Sequence, residues 1–249
     1  MKTGSLLQKL RNVTVLTREE AGALEDSIMR IERFHAGFDI ISEGSKPNAV
    51  HLMVSGWAAR RKMLENGANQ FTAFLIPGDF CDIHVTVLAR MDHNITAITD
   101  CEIAMIDGER LDELASRSSN LARALWWTTL VDEAVLREWV VNNGQRRAHA
   151  AVAHLLCEMH VRLCLVGEAD GSSEPFTFPV TQEHIANATG LTPVHVNRTL
   201  QQLRGDGLIR LHSRQLGILD LERLRAVAGF EIEYLHLMPR GAGDEGIER

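Results

Sequence analysis

No apolar run in the chain approaches the roughly 20 residues that a helical membrane span requires, so no membrane partner is expected. The opening MKTGSLLQKLRN has neither the long apolar core nor the small-residue cleavage site of a secretory signal. Cysteine is scarce: Cys81, Cys101, Cys157 and Cys164 stand far apart and form no CxxC pair. That argues against a disulfide framework and for reduced, buried thiols in a cytoplasmic protein. There is no P-loop, no nucleophile paired with a base and no metal-ligand spacing. An enzyme is therefore not expected, and no metal or cofactor is assigned. Positive charge is also in short supply: the net charge is −7 over 249 residues. Taken alone, that balance argues against an extended nucleic-acid-coating surface.

What is present falls into three textures. Residues 16–31 have the spacing of a short leading helix. From about residue 33 to 107 short apolar or alternating runs follow one another, as in FDIISEG, AVHLMVSGWAARRKM, QFTAFLIPGDF and ITAITDCEIAMID. Turn signals separate them, and ENG between two strand-like runs marks a hairpin. Many short punctuated strands predict an antiparallel barrel or jelly roll. Strand signals then stop. GERLDELASRSS reads as one helix, and NLARALWWTTLVDEAVLREWVV as a longer one ending at Asn142-Asn143-Gly144.

The apolar surface of that long helix exceeds one stripe. Leu121, Thr128 and Val135 share one heptad position, and Leu125, Asp132 and Trp139 another. Such a helix needs cover on more than one side. The barrel can supply one, and the same helix of a second subunit the other, giving a homodimer. The alternative is complete burial within one chain. A further amphipathic helix spans residues 145–165. It is followed by a polar loop, the short strand FTFPV, a helical pair, a hairpin turning near residues 213–215, and a last helix through about residue 237. The tail at 239–249 is expected to lack order.

The helical pair carries the most specific signal, TQEHIANATGLTPVHVNRTLQQLRGDGLI. Thr181 caps the first helix, Gly190 serves the turn, Thr192 caps the second and Pro193 takes its first position. Val196, Leu200 and Leu203 anchor the second helix. The opposite face carries Val194, His195, Asn197, Arg198, Gln201 and Gln202, side chains able to reach base edges. Arg210, His212 and Arg214 suit a wing that grips phosphates. Between Thr192 and Arg214 the local charge is +3 despite the acidic whole. Strand, two helices and hairpin make a winged helix-turn-helix, and the expected DNA-contacting set is Thr192, Val194, His195, Asn197, Arg198, Gln201, Arg210, His212 and Arg214.

With these motifs the chain resembles the Crp/Fnr family of bacterial transcription regulators over nearly its whole length. The resemblance implies an α+β architecture: a cyclic-nucleotide-binding-type jelly roll at 1–118, a dimerising helix at 119–144 and a winged helix-turn-helix at 145–238. It implies a palindromic DNA operator read by residues 192–203, with the arginine matching Arg198 on a guanine, and it admits RNA polymerase as a partner. Relatives that read TTGA-type half-sites usually carry a glutamate where this chain has Val194, which cannot accept a hydrogen bond from cytosine.

The sensor departs further from the family. Nucleotide-binding relatives hold the cyclic phosphate with a glycine-glutamate pair after GDF and an arginine-serine (or threonine) pair downstream. Here Cys81-Asp82 and Met91-Asp92 stand at those positions, and Arg90 is one residue away. The phosphate would lose a bidentate arginine and meet an extra carboxylate. Control by cAMP is therefore not expected, and the effector is an unknown small molecule. Gly78, Cys81, Asp82, His84, Arg90, Met91 and Asp92 are the candidate pocket residues. No cysteine precedes Cys81, unlike the cluster-binding relatives. Haem-binding relatives use a His or Cys ligand, and His84, His93 and Cys81 lie near the same pocket. The alternative reading is a cyclic-nucleotide, haem or other small-molecule sensor with an altered pocket.

Overall fold

The computed structural model describes residues 3–171 and 174–237; the tail at 239–249 lies outside the described residues. Eight strands build the first unit: β1 (Ile28–Phe34), β2 (Asp39–Ile41), β3 (Val50–Ser55), β4 (Ala58–Met63), β5 (Asn69–Leu75), β6 (Phe80–Asp82), β7 (Asn94–Ala97) and β8 (Cys101–Ile106). They form two antiparallel four-stranded sheets, ordered β1-β8-β3-β6 and β2-β7-β4-β5. Apart from the β4–β5 hairpin, consecutive strands lie in different sheets, as in a jelly roll. Ile95, Ile103, Leu75 and Met53 fill the space between them.

Two helices precede the barrel. The sequence predicts one helix over residues 16–31; α2 is Arg18–Asp26, and the chain then turns into β1. The reason is register. Ile28 pairs with Ile106 and Ile31 with Ala104 of β8, so strand pairing overrides the helical spacing of a short run. A capping box at Thr17 and Glu20 starts α2. The sequence reading missed α1 (Gly4–Leu10), whose Leu6 and Leu10 are fully buried with Leu24 of α2 and Leu52 of the barrel.

The helical half begins with α3 (Gly108–Arg117) and α4 (Ser119–Gln145). Ser118 caps α4, its hydroxyl accepting the Leu121 N–H at 3.0 Å. The helix passes through the expected stop at Asn142–Gly144, because the Asn142 side chain points inward and donates to the Ala151 carbonyl at 3.2 Å. α5 (Ala148–Val166) is long and apolar enough by composition to cross a membrane, yet it is the buried core helix of the second half. β9 (Phe176–Thr177), α6 (Gln182–Thr189), α7 (Pro193–Gly205), β10 (Ile209–His212), β11 (Gln215–Ile218) and α8 (Leu221–Ala228) follow. The expected last helix through residue 237 is cut short at Gly229, which takes φ +56 at its C-cap; a 3-10 turn, Glu233–Leu235, comes after.

The apolar stripe read as the dimer contact is corrected by this packing. Leu121, Leu125, Thr128, Val135 and Trp139 are buried in the chain's own interior, and Asp132 is tied to the barrel. Trp139 meets Phe74 of β5 edge-on at 5.8 Å. The face left open carries Trp126 (71% exposed), Leu130 (55%) and Val140 (66%). A wide apolar circumference needed two covers; the barrel and α5 take the side that was assigned to a partner.

A buried ionic chain joins the two halves. Asp79, in the turn before β6, receives Lys9 Nζ at 2.6 Å and Arg162 Nη2 at 2.7 Å. Arg162 continues to Glu158 Oε1 at 3.2 Å, and Glu158 accepts from Trp139 Nε1 and Tyr234 O–H, both at 3.0 Å. Burial alone would raise the Asp79 carboxyl; Lys9 and Arg162 outweigh it and hold the pKa down at about 2. Glu158 is shifted the other way, upward, by its burial.

Candidate nucleic-acid interface and effector pocket

α6 begins in a reciprocal cap: Thr181 Oγ1 accepts the His184 N–H at 3.2 Å, and the Thr181 N–H donates to His184 Nδ1 at 3.3 Å. Gly190 ends it with φ +67, the left-handed geometry that lets the chain reverse without a Cβ clash. Thr192 then caps α7 by accepting the His195 N–H at 3.2 Å, and Pro193 supplies a preset φ where no N–H is needed. Val196, Thr199, Leu200 and Leu203 bury one face against α5 and α6. The opposite face presents Val194, 81% exposed, with Arg198, Gln201 and Gln202 exposed beside it and His195 and Asn197 half-buried.

β10 and β11 pair from Ile209↔Ile218 to His212↔Gln215, so the hairpin turns at Ser213-Arg214. Alternation puts Ile209 inside and Arg210 and His212 outside. Ser213 (φ +48) and Arg214 (φ +62) both adopt left-handed backbone, the turn type in which Asn and Gly are the unstrained choices. An arginine is thus held at the tip against its backbone preference. Helix, wing and turn place Thr192, Val194, Arg198, Gln201, Arg210, His212 and Arg214 on open surface.

The effector candidates divide. A pocket of about 480 Å³ lies between the barrel and α4, and Cys81, Asp82, His84, Met91 and Asp92 line it. Gly78 does not. It packs on α1, where a Cβ would come 2.9 Å from the Ser5 backbone. Arg90 does not either: its guanidinium donates to the Gly44 carbonyl at 2.8 Å. The extra carboxylate of Asp82 is already answered, since His51 donates its backbone N–H at 2.9 Å and holds Nδ1 3.1 Å from both oxygens. The Asp92 carboxyl is held below its usual range, chiefly by its 2.6 Å contact with His93.

Sequence reasoning missed the cations of this pocket. Arg60 and Lys62 enter from β4, and Thr129, Asp132, Glu133 and Leu136 form the α4 wall. The ARRKM run on an alternating strand was the available signal, since alternate residues point to one face. Neither cation stands free. Arg60 Nη2 donates to Asp132 Oδ2 at 2.8 Å, and Lys62 Nζ to Glu43 Oε1 at 2.5 Å. Burial works against the Arg60 charge, but Asp132 outweighs it and the pKa rises. All four cysteines are free thiols; Cys81, Cys101 and Cys157 are buried and Cys164 half-buried.

The cyclic nucleotide-binding domain profile matches residues 31–118, and the Crp-like helix-turn-helix domain profile matches residues 150–227. The chain is 29% identical over 214 residues to the transcriptional activator protein FnrL of Cereibacter sphaeroides, covering 85% of each chain. It is 26% identical over 222 residues to the nitrogen fixation regulation protein FixK of Bradyrhizobium diazoefficiens, covering 88% of this chain and 91% of the relative. Among solved structures, FixK2 from Bradyrhizobium japonicum matches with a TM-score of 0.69 at 24% identity, over 80% of this chain and 96% of that one. At that identity the likeness speaks for the fold.

Proposed function

We propose that this chain, a member of the Crp/Fnr family of DNA-binding transcription regulators, acts as a cytoplasmic homodimer that reads a palindromic operator without cyclic-nucleotide control. The observation that carries the DNA reading is the outer face of α7, where Val194, Arg198 and Gln201 stand clear beside an arginine-tipped wing. Arg198 can take guanine O6 and N7 together, Gln201 can pair with adenine, and Val194 can meet a thymine methyl. Arg210 and Arg214 grip phosphates and carry no sequence information. Two copies joined through the open face of α4 would set their recognition helices one DNA turn apart, roughly 34 Å.

The pocket argues against a cyclic nucleotide. Arg60 and Lys62 are committed to carboxylates, and Met91 offers no donor to a phosphate. An anion entering there must break an existing pair to engage either cation. The test starts with selection of operator sequences from a random duplex library by the purified protein, with no added ligand. Arg198→Ala is expected to weaken the selected site by about 1–3 kcal/mol and relax preference at one guanine, leaving nonspecific binding near wild type. Unchanged affinity and base preference would remove α7 from the interface. Calorimetric titration with cAMP and cGMP is expected to show no micromolar binding; such binding, with a gain in operator affinity, would return the pocket to nucleotide control.

A further inference from the structure

We propose that the Arg60–Asp132 ion pair is a built-in effector, fixing α4 on the barrel across the pocket where a small molecule would otherwise have to act. This inference rests on the DNA-binding reading above and deepens its account of the pocket. One wall of the cavity is barrel, with Arg60, Cys81, Ile83 and Met91; the other is α4, with Thr129, Asp132, Glu133 and Leu136. Arg60 Nη2 crosses to Asp132 Oδ2 at 2.8 Å, and the same nitrogen donates to the Phe80 carbonyl of the barrel at 3.1 Å. His84 Nε2 and Thr129 Oγ1, 3.0 Å apart, make a second tie. The Arg60 and Asp132 side chains are only 18% and 31% exposed, so water screens the pair less than it would a surface pair.

The consequence follows from connectivity. α4 runs on to Gln145 and α5, the core of the winged half, starts at Ala148. The seating of α4 on the barrel is therefore passed to α5 through a link of two residues, and from α5 to the recognition helix packed on it. A ligand can shift such an equilibrium only through contacts that differ between the two states. Here the chain supplies those contacts itself, and the same pair neutralises the pocket's arginine.

The experiment measures ligand-free operator affinity of the full-length protein by fluorescence anisotropy, with melting and sedimentation run on every variant. Arg60→Ala and Asp132→Ala are each expected to lose about tenfold, within the usual range of coupling between sites. The double variant is expected to be no worse than the weaker single, since removing one partner already removes the link. Excess acetate, a free carboxylate, is expected to restore Asp132→Ala in part and Arg60→Ala not at all. Should an alanine variant melt early, Asp132→Asn, which keeps the shape and removes the charge, carries the same expectation. Variants that bind like wild type, or losses that simply add, would overturn the inference while the DNA reading stands. A wild-type protein that selects no operator without ligand would instead remove the DNA reading and this inference with it.

Discussion

Arg214 shows how one residue can be placed for function at a cost to stability. Its φ of +62 lies where glycine is unstrained and a residue with a Cβ is not. Arg214→Gly is therefore expected to stabilise the hairpin slightly, by about 0.5–1 kcal/mol after the added unfolded-state freedom of glycine is subtracted. The same variant is expected to weaken binding to all DNA sequences alike and to lower the salt slope by about one charge per subunit. Urea melts and salt-dependent anisotropy read the two effects separately. A loss of both stability and sequence preference would mean that the tip arginine packs rather than grips.

At the scale of the element, α4 decides assembly through the face that the chain leaves open. Leu130 is 55% exposed and Trp126 71%, whereas Leu125 is 7%. Leu130→Glu is thus expected to give a folded monomer with a near-wild-type melting point and lost operator binding. Leu125→Glu is expected to lower stability by several kcal/mol, on the order of the cost of burying an unpaired charge, before assembly is affected. Sedimentation at micromolar concentration separates the two, and a dimeric Leu130→Glu protein would move the interface off this face.

For the whole molecule, the buried titratable groups set the pH range of stability. His154 is 1% exposed, stacked on Tyr234 at 5.9 Å and against Phe230 at 5.2 Å. Glu138 Oε1 lies 3.4 Å from its Nε2 but is committed to Arg146 at 2.5 Å. Burial first, and Arg146 second, lower its pKa from 6.5 to about 3. The unfolded chain therefore takes up this proton near pH 6.5 and the folded one does not. Stability from the neutral ring is complete above pH 6.5 and is lost as pH falls from there toward 3. At pH 5 the loss is about 2 kcal/mol. His154→Gln is expected to flatten the melting temperature between pH 6.5 and 5. Asp79 acts lower: its contribution is complete above 3.8 and is lost as pH falls to about 2. An unchanged pH profile in His154→Gln would mean that the ring is charged in the fold.

Local rules were enough for the winged helix-turn-helix. Caps at Thr181 and Thr192, Pro193, the turn at Gly190 and the inward Val196, Leu200 and Leu203 act over a few residues, and the structure has them where those rules put them. The barrel strands were legible for the same reason, through alternation and punctuation. Long-range contacts decided the rest. β1 became a strand because β8 offered it a register, and α4 turned its heptad stripe inward because Phe74 and α5 lay on that side. Strand alternation could have pointed Arg60 to the pocket face, but its carboxylate partner lies 72 residues away on α4, a pairing that no local pattern records. Gly78 and Arg90 left the pocket for the same reason: their partners, Ser5 and Gly44, are distant in sequence. Periodicity determines which face of an element is apolar, and only the packed molecule determines what that face meets.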